Sequence, residues 1–122
     1  MANVKQDPAR EHRIQMEVIV DAYSGQEQAM GWYYYLEEHL QCPFLAQCIA
    51  RRAISPLRPR GEVEVIGMAP EEECEHEMFV MIRWGGDGMA VPLSQLKVVD
   101  ADNETRQAID DWHYWVKRGY CF

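Results

Sequence analysis

Apolar and polar positions alternate along this chain with several distinct periods, and each period predicts an element. From Arg13 to Asp21, Ile14, Met16, Val18 and Val20 fall at every second position, which predicts a strand that is half-buried at first and more buried at its end. The polar residues 1–12 before it are expected to fray. Ser24-Gly25-Gln26-Glu27 is a capping box, with the serine hydroxyl placed for the third helical amide and the glutamate for the return bond. Behind it, Ala29, Trp32, Tyr33, Leu36 and Leu40 recur at three- and four-residue steps and predict a helix over about residues 25–40, stopped ahead of Pro43.

The middle of the chain reads as short strands joined by turns. Strands are predicted at 44–49, 62–66, 78–84, 89–92 and 97–99, with a hairpin turn at Gly85-Gly86-Asp87-Gly88 and a single helical turn over 93–96. Arg51 to Gly61 is a turn-rich basic connection, and Pro92 fits only a strand end or edge. Short strands with a helical turn before the last predict a small SH3-like barrel over roughly 45–99. A final helix over about 102–117 has Ala108, Ile109, Trp112, Trp115 and Val116 as its apolar face, Asp102 or Asn103 as its cap and Gly119 as its stop. The expected architecture is therefore α+β: a small SH3-like β-barrel with an N-terminal and a C-terminal helix packed on it, in a single domain spanning 1–122.

Composition narrows the function. The chain has 122 residues, 48% of them hydrophobic and 26% charged, as in ordinary globular domains. Its 12 basic and 20 acidic side chains sum to a net charge of −8, which disfavours nucleic acid and anionic membranes and favours cations or basic partners. No run of apolar residues is long enough for a transmembrane helix, and the first 13 residues hold no apolar stretch of a secretory signal, so a cytoplasmic protein is expected. Cys42, Cys48, Cys74 and Cys121 contain no Cys-x-x-Cys pair and are expected as free thiols rather than disulfides or zinc ligands.

Three acidic groups could carry chemistry. Glu71, Glu72, Glu73, Glu75 and Glu77 crowd one loop around Cys74 and His76. Carboxylates about 4 Å apart repel by about 4 kcal/mol at an effective dielectric near 20. A solvated loop relieves that by splaying its side chains, and a calcium ion relieves it by accepting their oxygens. Glu37 and Glu38 end the first predicted helix, where the dipole disfavours acids; ion pairing with Arg51 or Arg52 is the plain reading and a cation site the sharper one. Asp100, Asp102 and Glu104 match the opening of an EF-hand loop, but Thr105 stands where glycine is needed and Asp111 where a glutamate belongs, so helix capping is the simpler role. The histidines are scattered, no nucleophile motif or phosphate loop is present, and His76 beside Cys74 does not make a catalytic pair, so no enzymatic activity is expected.

Longer runs carry a resemblance. Gly31-Trp32-Tyr33-Tyr34-Tyr35-Leu36-Glu37-Glu38 with Pro43-Phe44, Val65 to Pro70, Ala90 to Leu96, and Asp110 to Val116 with Arg118-Gly119-Tyr120 together resemble the small bacterial calcium-binding protein family typified by the cyanobacterial heterocyst-differentiation calcium-binding protein. The resemblance spans about residues 14–122 and implies an acidic, cytoplasmic, non-EF-hand protein that buffers or sequesters Ca²⁺. By position, Glu38 matches an acidic site where relatives are expected to carry Asp, and Glu71 to Glu77 match the family's acidic loop. The expected site draws on Glu38, Glu71, Glu72, Glu73 and Glu75 with Glu37, and Asp100, Asp102 and Glu104 form a second, weaker one. The protein is expected to be a monomer. The alternative is an SH3-like protein-interaction module whose acidic surface is incidental.

Overall fold

A computed structural model describes residues 5–50, 52, 57–120 and 122. Helix α1 (Pro8–Arg13) starts where Asp7 caps it, accepting from the Arg10 amide with Pro8 in the first turn. It runs on into one π-helical turn, Ile14–Val18, closed by a bond from the Ile19 amide to the Ile14 carbonyl at 3.0 Å. In place of the strand expected over 13–21, residues 13–18 are therefore helical and 19–21 form a bend and turn. Ile14 and Val18, four residues apart, are buried, whereas Met16 and Val20 are 59% and 52% exposed, so the i,i+4 spacing prevailed over the alternation. Of the residues 1–12 expected to fray, 1–4 lie outside the described residues and 8–12 are helical: the Asp7 amide donates to the Tyr114 hydroxyl at 2.9 Å, and Arg10 of α1 pairs with the buried Asp111 carboxylate.

Helix α2 (Gly25–His39) begins at the expected cap, with Ser24 Oγ accepting from the Glu27 amide. Strands β1 (Phe44–Cys48), β2 (Glu62–Met68), β3 (Phe79–Trp84), β4 (Asp87–Pro92) and β5 (Leu96–Asp100) form one antiparallel sheet in the order β4-β3-β2-β1-β5. The hairpin turn is tighter than expected: Trp84 faces Asp87, leaving Gly85-Gly86 as the loop. A 3₁₀ turn at Leu93–Gln95 precedes β5, and helix α3 (Asn103–Lys117) starts on Asp102 and ends at Gly119, whose φ of 89° suits only glycine comfortably. Among the described residues β4 and β5 do not pair, so the sheet stays open rather than closing into the expected barrel. Bulges at Leu45/Ala46 and Val65/Gly67 bend it around its core instead.

The helices cover that sheet and bury Trp32, Leu36, Ile109 and Trp112 with Val65, Ile82 and Leu96. Trp32 meets Trp112 edge-on with ring centroids 5.1 Å apart, and Phe122 stacks on Trp112 at 5.9 Å. Helix α3 also meets the carbonyls of β5: His113 Nε2–H donates to Leu96 O at 2.6 Å, and Arg106 donates to Val99 O and Ala101 O. At Gly31 of α2 a Cβ would stand 2.3 Å from the Val18 carbonyl, so only glycine lets the π-turn approach the helix this closely. No helix among the described residues is long and apolar enough to cross a membrane.

Candidate functional site

The acidic loop folds as a short, pinned turn. Glu71–Cys74 is 3₁₀-helical, and the Glu73 amide donates to the Pro70 carbonyl at 2.9 Å. Both ends are fixed to Phe79. The Ala69 amide donates to the Phe79 carbonyl at 3.1 Å, and the Phe79 amide donates to Cys74 Sγ at 3.3 Å. Cys74 and Met78 are buried, so apolar anchors hold the backbone while Glu71, Glu72, Glu73 and Glu75 are exposed. Burial raises the Cys74 thiol's pKa; Cys42, Cys48 and Cys74 are free thiols, and Cys121 lies outside the described residues. Glu77 is already taken by Arg52, whose Nη1 lies 2.9 Å from it.

Helix α2 meets this turn through Tyr33. The Tyr33 hydroxyl donates to the Ala69 carbonyl at 3.0 Å, inside a buried contact just before the acids begin. Burial, then Glu37, Cys74 and Glu71, push the Tyr33 pKa above its ordinary value of 10.0. Glu37, one helical turn beyond Tyr33, and Glu71, from the turn, both act on this phenol electrostatically, while its hydroxyl hydrogen-bonds the Ala69 carbonyl. Glu38 is exposed and sits about 100° further round the helix, four residues beyond Tyr34, itself 51% exposed. Both helix-end acids are exposed; Glu37 shares the helix face of Tyr33, and Glu38 lies on the adjoining strip.

Between α2 and the turn lies an open cleft of about 720 Å³. Its acidic wall is Glu71, Glu72 and Glu75 with His76, and its apolar side is Ala29, Met30, Tyr33 and Phe122. Glu73 does not line it. Among the described residues, no three His, Cys, Asp or Glu side chains already converge as a metal cage. Ca²⁺ takes 6–8 oxygens in flexible geometry, including carbonyls and waters. Long, solvated glutamates on a fixed turn suit such an ion better than one demanding a rigid octahedron.

The second candidate group is spread out. Asp100 ends β5 opposite Leu45 and is exposed. Asp102 accepts from the Thr105 amide at 2.8 Å, and Thr105's hydrogen bonds, side-chain and backbone, hold its pKa below the ordinary 3.8. Glu104 faces His39, 3.9 Å from Nε2. Capping therefore occupies Asp102.

The most connected acid is one the sequence reading set aside. Asp111 is fully buried and accepts from Arg10 Nη1 at 3.0 Å, Arg13 Nε at 2.9 Å and Nη2 at 2.6 Å, and the Tyr35 hydroxyl at 3.0 Å. Its signal was legible: an aspartate at the i+3 position from Ala108 lies on an apolar helix face and requires a buried cation. This cluster fixes α1 and α2 to α3 and is structural.

An α+β domain that gathers carboxylates beside a helix and on a pinned turn belongs to the class of acidic cation-binding proteins. Comparison makes the class specific. The CcbP family model, described as calcium binding, matches residues 12–116. The chain belongs to this calcium-binding family. It is similar to the protein in the crystal structure of Anabaena CcbP, with a TM-score of 0.88 and 44% identity, covering 100% of both chains. A second similar structure is that of a calcium binding protein in the calcium-binding form, with a TM-score of 0.86 and 43% identity over 100% of both chains. No curated protein matches.

Proposed function

We propose that this protein binds Ca²⁺ reversibly at the junction of α2 and the acidic turn and so buffers the free ion. The observation that carries the reading is the cleft between α2 and the turn, walled by Glu71, Glu72 and Glu75 and by Tyr33, whose hydroxyl ties the helix to the Ala69 carbonyl. Glu38 and Glu73, on the adjoining faces, are held as additional ligands reached by side-chain rotation. Asp100, Asp102 and Glu104 form a weaker second site, in which Asp102 gives up part of its capping bond. The site is of non-EF-hand type, because its acids come from a helix end and a 3₁₀ turn rather than one loop. We read the strand order, with a 3₁₀ turn before the last strand, as SH3-like, and the protein as a non-catalytic cytoplasmic monomer.

Calcium titration tests the function. A ligand at 100 times its Kd stabilises a folded protein by about 2.7 kcal/mol, which for a chain of this size is a rise of several degrees. Thermal melts with millimolar Ca²⁺ and with chelator should differ by that amount, and calorimetry should show saturable heat that Glu37→Gln and Glu71→Gln each weaken. Superimposable melts and no saturable heat would sink the proposal.

A further inference from the structure

The acidic turn is pinned to the sheet at both ends by Phe79, but its bond to α2 is of another kind. On that side Tyr33 reaches the Ala69 carbonyl, two residues before Glu71. Ala69 is wholly buried and Tyr33 is 9% exposed, so this bond lies out of water, where it holds position best. On α2, Tyr33 and Glu37 are one turn apart on the same face, so whatever fixes Tyr33 relative to Ala69 also fixes the backbone that carries Glu37 relative to the backbone that carries Glu71. We infer that Tyr33 is a positioning residue of the calcium site: its hydroxyl sets the separation of Glu37 from Glu71 by tethering α2 to the Ala69 carbonyl. This rests on the calcium reading given above.

The tether acts through preorganisation. Held carboxylates meet the ion with little further ordering, whereas a turn released from the helix must be ordered as the ion binds. Tyr33→Phe keeps the ring and its packing and removes only the donor.

The experiment is Ca²⁺ calorimetry at 20 °C, where each variant is folded by circular dichroism, on wild type, Tyr33→Phe, Glu37→Gln, the double variant and Tyr34→Phe. The expected result is a Kd raised about three- to tenfold by Tyr33→Phe, the range of one net hydrogen bond, and unchanged in Tyr34→Phe. In the Glu37→Gln background the Tyr33→Phe effect should shrink toward nothing, because no helix carboxylate remains to be positioned. A merely structural tyrosine would lower the melting temperature, leave the Kd of the folded protein unchanged and show no coupling to Glu37→Gln; that result overturns the inference. No saturable heat in wild type would instead remove the calcium reading itself. If Tyr33→Phe does not fold, hydrogen exchange on wild type decides: calcium should slow exchange in residues 33–37 and 71–74 together, and protection of the turn alone overturns the tether.

Discussion

Replacing Asp111 by alanine isolates what holds α2 in place. The wild-type carboxylate is fully buried and takes hydrogen bonds from Arg10, Arg13 and Tyr35 at 2.6–3.0 Å. Removing it leaves two guanidinium groups and a phenol facing a dry space. Breaking a buried pair this way costs about 3–5 kcal/mol. The Arg10 and Arg13 side chains keep 25% and 22% of their surface in contact with solvent, so part of their charge rehydrates and the lower end applies, about 3 kcal/mol. For a domain of this size that is a fall in melting temperature of about 10 °C. Asp110→Ala, one residue away and exposed, should stay within about 0.5 kcal/mol of wild type. The assay is urea unfolding of both variants at neutral pH, with calcium affinity measured on the folded proteins. Because Asp111 also holds Tyr35 of α2, the helix that carries Tyr33 and Glu37, Asp111→Ala should raise the Kd as well, and Asp110→Ala should not. A loss no larger than that of Asp110→Ala would refute the account of the cluster as the anchor of α1 and α2.

Two further outcomes follow from particular contacts. Burial holds the His113 pKa below its ordinary 6.5, so the folded state binds fewer protons there than the unfolded state. Its contribution is complete above pH ~6.5 and is lost as pH falls through 6.5 toward the folded value; unfolding free energy measured from pH 7.5 to 5 should drop, with less slope in His113→Gln, which keeps a donor for Leu96 O. Gly31→Ala should destabilise by about 1–3 kcal/mol although alanine is the better helix former, because its Cβ meets a backbone carbonyl that cannot swing aside; a stabilised variant in a thermal melt would contradict the close approach.

Several elements were legible in the sequence because their signals are local. The Ser24 cap and the Trp32/Leu36/Leu40 stripe defined α2, and Asp102 and Gly119 bracketed α3, since a cap satisfies amides within its own turn. The alternation at Val63 and Val65 fixed which face of β2 is buried. The acidic turn was equally plain as a charge cluster, and its runs pointed to the calcium-binding family.

Tertiary structure decided the rest, through groups distant in sequence. Ile14 to Val20 fits both a period of two and an i,i+4 spacing; the choice fell to α1, whose arginines pair with Asp111 some hundred residues away. Whether five strands close into a barrel depends on β4 meeting β5, which no local pattern encodes. Glu37 and Glu38 look alike in the chain, and a helix turn of 100° per residue separates them. Only the bond from Tyr33 to Ala69 shows that the face shared by Tyr33 and Glu37 is the one that meets the acidic turn. Composition thus determined that carboxylates would be plentiful, and long-range packing determined which of them stand beside the cleft between α2 and the turn.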